Sequence, residues 1–267
     1  MDISIILPVF NEQEAIEKVL LSILKQKISG IANYEIIVVN DGSTDNSGKI
    51  LSKLKEKINN LKIVTHTINK GYGAAFKSGV RTAKYNWILF MDSDMQFHIN
   101  SIKPFLTFTK DFDYIVGYRQ NRADNIRRKI VSFIYNRLVR IIFGLPIRDV
   151  DCAFKLMRKD SVSKVRGLPD SFFVSAALLI KSMQMKIKIK ELPVRHLPRT
   201  KGISTVTISK VTRTIYDLTM LYKETILKRF IKTSSKKLGN TNKVARKYAV
   251  QLMLIVLAIL YYQNREK

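Results

Sequence analysis

Short apolar runs alternate with helical patterns along the first half of the chain. The runs predict five strands, at residues 3–7, 35–40, 61–64, 87–91 and 114–117. Between the first four runs, apolar residues recur every three or four positions, as they do on one face of a helix. Alternation of strands and helices predicts the α/β fold class, with a mostly parallel sheet flanked by helices.

The second half of the chain has a different pattern. Residues 119–141 interleave arginines with apolar side chains, which predicts an amphipathic helix with a cationic face. A further helix is expected around residues 172–184, and residues 186–192 alternate strictly, as an edge strand does. Residues 206–231 predict a long amphipathic helix, which either docks on the sheet or lies in a membrane interface.

The C-terminal segment combines a hydrophilic linker with an apolar stretch. Residues 232–247 are polar and basic, and residues 248–262 are apolar except for Gln251. At ~1.5 Å per residue the apolar stretch spans ~22 Å of a ~30 Å hydrocarbon core, a gap that snorkelling flanks and local thinning can close. We therefore expect a short membrane-anchor helix, with a terminal core helix as the alternative.

Composition limits the possible classes of protein. With 267 residues and 46% hydrophobic content, the chain can bury one core of ordinary size. Its single cysteine, Cys152, excludes an intramolecular disulfide and fits a reducing compartment. The first apolar run lacks a basic flank and is too short for a signal peptide, so we expect the N-terminus to belong to the fold.

The formal net charge of +26 is concentrated in the second half. Residues 1–118 contain 14 Lys and Arg against 12 Asp and Glu, whereas residues 119–267 contain 33 against 9. This asymmetry indicates an anionic partner for the second half, with nucleic acid and anionic membrane as the candidates.

Two carboxylates and a carboxamide, Asp92, Asp94 and Gln96, follow the apolar run at residues 87–91. In an extended chain Asp92 and Asp94 would share a face, and carboxylates held close together repel unless a cation lies between them. Oxygen ligands of this kind suit Mg²⁺ or Mn²⁺.

An isolated Asp-x-Asp is more often a solvated turn than a metal site. Here, however, residues 8–12 and the Asp41-Gly42 pair also follow predicted strands. In parallel sheets, ligands bind outside the carboxyl ends of the strands, where these segments would meet. The sequence therefore predicts a ligand site at this edge of the sheet.

The glycine-rich segment at residues 69–75 is not a nucleotide-binding fingerprint. Phe76 occupies the position of the third glycine of a dinucleotide motif and of the glycine before a P-loop lysine. We interpret Gly71 and Gly73 as giving a tight turn and close helix packing.

With these motifs the chain resembles the family 2 glycosyltransferases of GT-A (Rossmann-like) fold, and among them the dolichyl- and polyprenyl-phosphate sugar synthases. The matching segments are residues 7–12, 40–45, 69–74, 92–96, 149–156 and 196–204. Two positions depart from the pattern: Phe10 stands where Tyr is common, and Ala177 where Glu is common. The second departure leaves open any acceptor or structural contact made by that Glu.

The resemblance implies roles for individual residues. It assigns nucleotide-sugar binding to Pro8, Phe10, Glu12, Asp41 and Asp92. It assigns a divalent ion, Mg²⁺ or Mn²⁺, to Asp92, Asp94 and Gln96. It assigns the acceptor phosphate to Arg119, Arg128, Ser132, Arg199 and Lys201. The implied catalytic groups are Asp94, Arg119, Arg128 and Ser132.

The resemblance also implies an activity. A sugar would move with inversion from GDP-mannose or a UDP-hexose to dolichyl or undecaprenyl phosphate, at the cytoplasmic face of the cell membrane. Residues 1–205 would be the GT-A domain, with a nucleotide-sugar half at 1–118 and an acceptor half at 119–205. The implied partners are the nucleotide-sugar, the polyprenyl phosphate and an anionic membrane, and no nucleic acid.

Two alternatives remain at this point. A relative that glycosylates a sugar hydroxyl in a surface polysaccharide would need a general base, for which Asp149 and Asp151 are candidates. A non-catalytic basic protein that binds membrane or nucleic acid would explain the charge but not the carboxylates of the neutral half.

Overall fold

One mixed sheet of seven strands organises the protein. The structure, a computed structural model, describes residues 1–120, 122, 126–198 and 208–227. The strands are β1 (Asp2–Val9), β2 (Asn33–Asp41), β3 (Leu61–His66), β4 (Trp87–Met91), β5 (Tyr114–Gln120), β6 (Phe154–Arg158) and β7 (Ile189–Arg195). Their order across the sheet is β3-β2-β1-β4-β6-β5-β7.

Helices connect most of the strands. They are α1 (Ile16–Leu24), α2 (Ser47–Lys57), α3 (Tyr72–Thr82), α4 (Lys103–Leu106), α5 (Ile126–Phe143), α6 (Lys159–Lys164), α7 (Val174–Gln184) and α8 (Ile208–Tyr222). A 3₁₀ turn at Ile99–Ile102 precedes α4, and a π-helical turn at Lys223–Leu227 follows α8.

The five runs form β1 to β5, as predicted. β1, β2 and β4 are covered on both faces and are apolar over most of their length, whereas β3 is an edge strand on which Lys62 and Thr65 are exposed. The strand boundaries differ from the prediction by up to three residues. β1 continues through Pro8, which pairs in register with Val39. The first helix begins at Ile16, and Asn11, which lies between β1 and this helix, adopts a left-handed conformation with φ of 57°.

The sequence pattern missed β6. This strand runs antiparallel to both β4 and β5, so the sheet is mostly but not wholly parallel. β7 is an edge strand as predicted, but it begins at Ile189 rather than at residue 186. The chain is still turning after the end of α7 at residue 186, because Lys186 is left-handed with a φ of 59°, so the strand cannot start there.

The sheet directs six strand ends to one edge. β1 pairs in parallel with β2 and β4, β2 with β3, and β5 with β7. β6 lies antiparallel between β4 and β5, so those two strands point the same way, and β6 starts where they end. Residues that follow the other strands, and those that precede β6, therefore meet at this edge.

The chain divides into two compact units. The first comprises residues 1–123 and 149–204 and contains the whole sheet. The second comprises residues 124–148 and 205–267 and contains α5 and α8. On α5, Leu138 and Val139 are buried, whereas Ile126, Ile130 and Phe133 are exposed.

Several predicted features lie outside the described residues. These are the linker at 232–247, the candidate anchor at 248–262, and Arg199 and Lys201. Within the ranges that the structure does describe, the helices are all too short or too polar to cross a membrane.

Candidate active site

The Asp-x-Asp segment forms a turn directly after β4, which ends at Met91. Met95 is left-handed, with a φ of 67°, and the Gln96 N–H donates a hydrogen bond to Asp94 Oδ1 at 3.1 Å. A turn, and not the alternation of a strand, therefore arranges Asp92 and Asp94. The prediction that an extended chain would place them on one face was wrong in this respect.

The two carboxylates carry unfavourable negative charge. Asp94 is only 8% exposed, and Asp92 is partly buried. Burial and the charge of Asp94 raise the pKa of Asp92 to about 7, although Lys155 and Arg119 act in the opposite direction. A divalent cation would relieve this repulsion, so the residues fit Mg²⁺ or Mn²⁺.

The described residues supply only part of a metal shell here. No group of three or more His, Cys, Asp and Glu side chains in the described part of the chain is arranged to hold a metal ion. A cation at Asp92 and Asp94 would need further oxygen ligands, such as those of a diphosphate.

Gln96 is tied to the segment that follows β7. Its side-chain Nε2 donates to Leu197 O at 3.3 Å, and the Leu197 N–H donates to Gln96 O at 2.9 Å. The neighbouring His196 ring lies edge-on to Phe97, with centroids 5.4 Å apart. If Gln96 ligates the ion, it does so through Oε1.

The predicted nucleotide-binding residues of β1 lie at the same edge. Pro8 O accepts a hydrogen bond from Ser93 Oγ at 2.6 Å, which joins the end of β1 to the Asp-x-Asp turn. Phe10 and Glu12 are partly buried beyond it, and the Glu12 N–H donates to Ser47 Oγ at 3.0 Å.

Two loops at this edge are interlocked by side-chain bonds that the sequence did not reveal. Asn11 Oδ1 accepts from the Thr44 N–H at 2.8 Å. The Gln13 N–H donates to Asp45 Oδ2 at 3.1 Å, and Gln13 Oε1 accepts from the Asn46 N–H at 2.9 Å. These bonds fix the loop after β1 against the loop after β2.

The Asp41 carboxylate forms hydrogen bonds with neighbouring groups of the protein. It is 3% exposed, and its Oδ1 lies 2.6 Å from His66 Nδ1. The backbone N–H groups of Lys70 and Gly71 donate to its two oxygens at 2.9 and 2.8 Å. Asp41 thus holds the turn before α3, while its predicted contact with the nucleotide stays a prediction.

Arg119 and Asp149 form a bidentate ion pair. Arg119 Nε and Nη2 donate to the two Asp149 oxygens, both at 2.7 Å, and each side chain is 10% exposed. Burial opposes ionisation of Asp149, but the bonds and charge of Arg119 outweigh it and lower the pKa of that carboxyl. Arg119 therefore presents a fixed cation at the edge.

Asp151 and Lys155 complete the charged cluster. Burial, with a contribution from the charge of Asp149, raises the pKa of Asp151 to about 6. Lys155 is 1% exposed and donates to Cys152 O and, at 3.4 Å, to Ser175 Oγ. A lysine inside the apolar run 153–157 is a signal that the sequence analysis did not use.

Tyr72 is a further residue at this site that the sequence did not single out. Its hydroxyl donates to Asp92 Oδ1 at 2.8 Å. Burial, together with the charge of Asp92, raises the pKa of this hydroxyl, so it stays a donor.

The predicted acceptor-phosphate residues belong to different compact units of the chain. Arg119 belongs to the first unit, whereas Arg128 and Ser132 lie on α5 in the second. Asn136 Nδ2 donates to Ser132 O at 2.8 Å and to its Oγ at 3.2 Å. The structure thus brings the predicted donor residues and Arg119 to one edge.

Sequence comparison identifies a family and relatives. The family model described as Glycosyl transferase family 2 matches residues 4–166. Dodecaprenyl-phosphate galacturonate synthase of Rhizobium johnstonii is 30% identical over 226 residues, covering 82% of this chain and 65% of that protein. Undecaprenyl-phosphate 4-deoxy-4-formamido-L-arabinose transferase of Edwardsiella ictaluri is 27% identical over 220 residues, covering 81% and 66%. The chain thus spans slightly less than two thirds of the length of these relatives.

Solved structures share the fold. Glucosyl-3-phosphoglycerate synthase from Mycobacterium tuberculosis, in complex with Mn²⁺, UDP-glucose and phosphoglyceric acid, matches with a TM-score of 0.62 at 17% identity. The match covers 82% of this chain and 79% of that one. The same enzyme with Mg²⁺ and UDP matches with a TM-score of 0.60 at 16% identity, over 82% and 78%. The likeness confirms the GT-A fold.

Proposed function

Because the chain belongs to family 2 of the glycosyltransferases, we propose that it transfers a sugar from a nucleotide-sugar to a polyprenyl phosphate. The candidate donors are GDP-mannose and UDP-hexoses, and the candidate acceptors are dolichyl and undecaprenyl phosphate. Two relatives whose names specify polyprenyl-phosphate products or substrates support the acceptor class. A structure of the same fold that holds UDP-glucose and Mn²⁺ supports the donor class.

The observation that carries this proposal is the placement of Asp92, Asp94 and Arg119 along one sheet edge. Two carboxylates that repel each other suit a cation and the diphosphate that it neutralises. A buried arginine, held by Asp149, suits a second phosphate. A sugar that moves from a nucleotide diphosphate to a lipid phosphate needs a positive charge for each of these two phosphate groups, and the two features would supply them.

In the donor half, Asp92 and Asp94 would hold Mg²⁺ or Mn²⁺, with Gln96 Oε1 as a further candidate ligand. When bound, the ion would offset the negative charge of the departing nucleotide diphosphate. The residues proposed to line the nucleotide pocket are Pro8, Phe10, Glu12 and Asp41.

In the acceptor half, Arg119 would orient the lipid phosphate. A guanidinium has five N–H donors, and Asp149 takes up the Nε donor and one on Nη2, so others can face a phosphate. A phosphate monoester has its second pKa near 6, so the nucleophile is ionised at neutral pH without a general base. Attack opposite the diphosphate inverts the anomeric centre. Roles for Arg128, Ser132, Arg199 and Lys201 remain predictions from the resemblance.

Asp151 favours a second candidate function, transfer to a sugar hydroxyl. With a pKa raised to about 6, this carboxylate could accept a proton near neutral pH as a general base. Asp149 is poorly suited to that role, because Arg119 lowers its pKa.

A transfer assay separates the two functions. The full chain in membranes is incubated with radiolabelled nucleotide-sugars and undecaprenyl or dolichyl phosphate. We expect label in the lipid fraction, no transfer by Asp94→Ala, and retained transfer by Asp151→Asn. The exposed Asp160 of α6 gives the control variant Asp160→Ala, which should behave as wild type.

Two results would count against this proposal. Transfer by Asp94→Ala at the wild-type rate would refute the assignment of the metal ion. Loss of transfer in Asp151→Asn, with donor binding intact, would favour the hydroxyl acceptor.

A further inference from the structure

Tyr72 is held in a fixed position beside Asp92. Its ring stacks on Phe172, with centroids 5.1 Å apart and an interplanar angle of 21°. The edge of a second ring, that of Phe90, meets it at 5.4 Å and 74°. From this position the hydroxyl donates to Asp92 Oδ1 at 2.8 Å.

The backbone on both sides of Tyr72 is equally constrained. The Gly71 N–H donates to Asp41, and the Gly73 N–H donates to Asp170 O at 2.8 Å. A Cβ at Gly71 would come within 2.4 Å of Asp170 O, and one at Gly73 within 2.1 Å of Pro169 O. Backbone and ring therefore leave the Tyr72 hydroxyl little freedom to move away from Asp92.

We propose that Tyr72 is a positioning residue that fixes the orientation of Asp92 for the cation and diphosphate of the donor. Carboxylates that ligate metal ions are commonly held by a second hydrogen bond of this kind. With Oδ1 held by the hydroxyl, Oδ2 is the oxygen that we assign to the ion. This inference rests on the proposed metal-dependent donor binding.

The substitution Tyr72→Phe tests this role, because it removes the hydroxyl and keeps the ring that packs on Phe90 and Phe172. Mn²⁺ binding to the full chain, with and without UDP, is measured from the electron paramagnetic resonance signal of free Mn²⁺. Because the Tyr72 hydroxyl also lowers the pKa of Asp92, binding is compared at several pH values, which separates a change in protonation of Asp92 from a change in its orientation.

We expect Tyr72→Phe to weaken Mn²⁺ binding roughly tenfold to a hundredfold, as loss of a residue that orients a ligand typically does. KM for the donor should rise, and the melting temperature without Mn²⁺ should stay at the wild-type value. The matched control is Tyr85→Phe, which should leave Mn²⁺ binding unchanged, because Tyr85 precedes the first residue of β4 whereas Asp92 follows the last.

Phe172→Leu provides a second variant. It removes the stacked ring but keeps the hydroxyl, so it should weaken Mn²⁺ binding less than Tyr72→Phe does.

Three results would overturn the inference. Unchanged Mn²⁺ affinity in Tyr72→Phe would show that the hydroxyl does not position Asp92. A lower melting temperature without Mn²⁺, together with unchanged affinity in the folded fraction, would assign the hydroxyl to stability alone. Absence of Mn²⁺ binding by the wild type would refute the proposed metal-dependent donor binding itself, and this inference with it.

Discussion

Individual aspartates at the sheet edge fall into two groups according to their partners. Asp41 and Asp149 accept hydrogen bonds from neighbouring protein groups, and both are almost fully buried. Asp92 and Asp151 have pKa values raised to about 7 and about 6, mainly by burial, although Asp92 also accepts a hydrogen bond from the Tyr72 hydroxyl. A carboxylate that is costly to ionise lowers stability at neutral pH and is typical of functional sites. The first group therefore holds the structure together, and the second is available for chemistry.

The raised pKa of Asp151 predicts a pH-dependent stability. The folded protein retains this proton up to about pH 6, whereas the unfolded chain releases it near its ordinary pKa of about 3.9. Between these pH values the folded state binds more protons than the unfolded state. The free energy of unfolding therefore falls as the pH rises from about 4 to about 6. Asp151→Asn should remove this loss, which amounts to at most about 3 kcal/mol.

Urea unfolding at a series of pH values measures this difference. The free energy of unfolding of Asp151→Asn, relative to wild type, should increase from about pH 4 to about pH 6 and then level off. Asp160→Asn, at an exposed position, should follow the wild type throughout. A constant offset for Asp151→Asn would show that its pKa is not raised.

The Arg119–Asp149 pair predicts a large loss of stability when it is broken. Asp149→Ala leaves a buried guanidinium without its counter-charge, which typically costs about 3–5 kcal/mol. The matched control is Asp170→Ala, which breaks the Lys77–Asp170 pair at 2.6 Å, where Asp170 is 48% exposed. That surface pair should be worth about 1 kcal/mol or less. Equal losses in the two variants, measured by urea unfolding, would contradict this assignment.

At the scale of elements, turns place the two carboxylates proposed for the metal ion, whereas Arg119 lies on strand β5. The Asp-x-Asp turn follows β4, the Gly71–Gly73 turn begins α3, and the loops after β1 and β2 lock together. Each turn depends on a contact with a segment distant in sequence, such as that between Gly73 and Asp170.

Substitution of Gly73 tests the packing of this turn. A Cβ there would lie 2.1 Å from Pro169 O and 2.9 Å from the backbone of Asp170, so backbone must shift. We expect Gly73→Ala to lose about 3 kcal/mol of stability, comparable to other overpacked sites. Gly48 in α2 has only an ordinary contact, 3.4 Å from Asn40 Nδ2. Gly48→Ala should therefore be neutral or stabilising by up to about 1 kcal/mol.

Thermal or urea unfolding of the two alanine variants measures this contrast. A Gly73→Ala variant as stable as the wild type would mean that the segment at residues 168–171 does not pack on the turn.

The sequence was sufficient for some elements and not for others. β1, β2, β4 and the first half of β5 were predictable because strands buried on both faces leave continuous apolar runs, and β3 was found although it is a half-exposed edge strand. β6 was missed because Lys155 interrupts its run, and only tertiary structure shows that this lysine is buried under the site. The shared edge of the strands followed from the α/β pattern, so the predicted donor residues were found there.

The partners of each site residue could not be read from the sequence. Asp41 contacts His66 and the turn at residues 70–71, and Arg119 contacts Asp149, thirty residues away. The Tyr72–Asp92 bond likewise joins residues twenty positions apart. Such pairs carry no periodic signal, because they arise only when the sheet brings distant loops together.

At the scale of the whole molecule, charge and apolar exposure coincide in the second half of the chain. Residues 119–267 carry 33 Lys and Arg against 9 Asp and Glu. In the second unit, Ile126, Ile130 and Phe133 of α5 and Tyr216 of α8 are exposed. Basic surfaces with exposed apolar side chains favour the interface of an anionic membrane, which supports the proposed lipid acceptor.

Deletion of residues 244–267 tests the predicted membrane attachment at the cytoplasmic face. The truncated protein should move from the membrane to the soluble fraction on centrifugation and retain some transfer to a short-chain polyprenyl phosphate. If it stays fully on the membrane, the segment at residues 205–231 is the main attachment instead.

The central claim is that a lipid phosphate, and not a hydroxyl, receives the sugar. The most direct measurement is ³¹P nuclear magnetic resonance of the lipid extracted after reaction with a nucleotide-sugar and undecaprenyl phosphate. We predict that the phosphomonoester signal is replaced by a phosphodiester signal in the wild type and persists with Asp94→Ala. A lipid phosphate that remains a monoester, while sugar is transferred to a hydroxyl, would contradict the account.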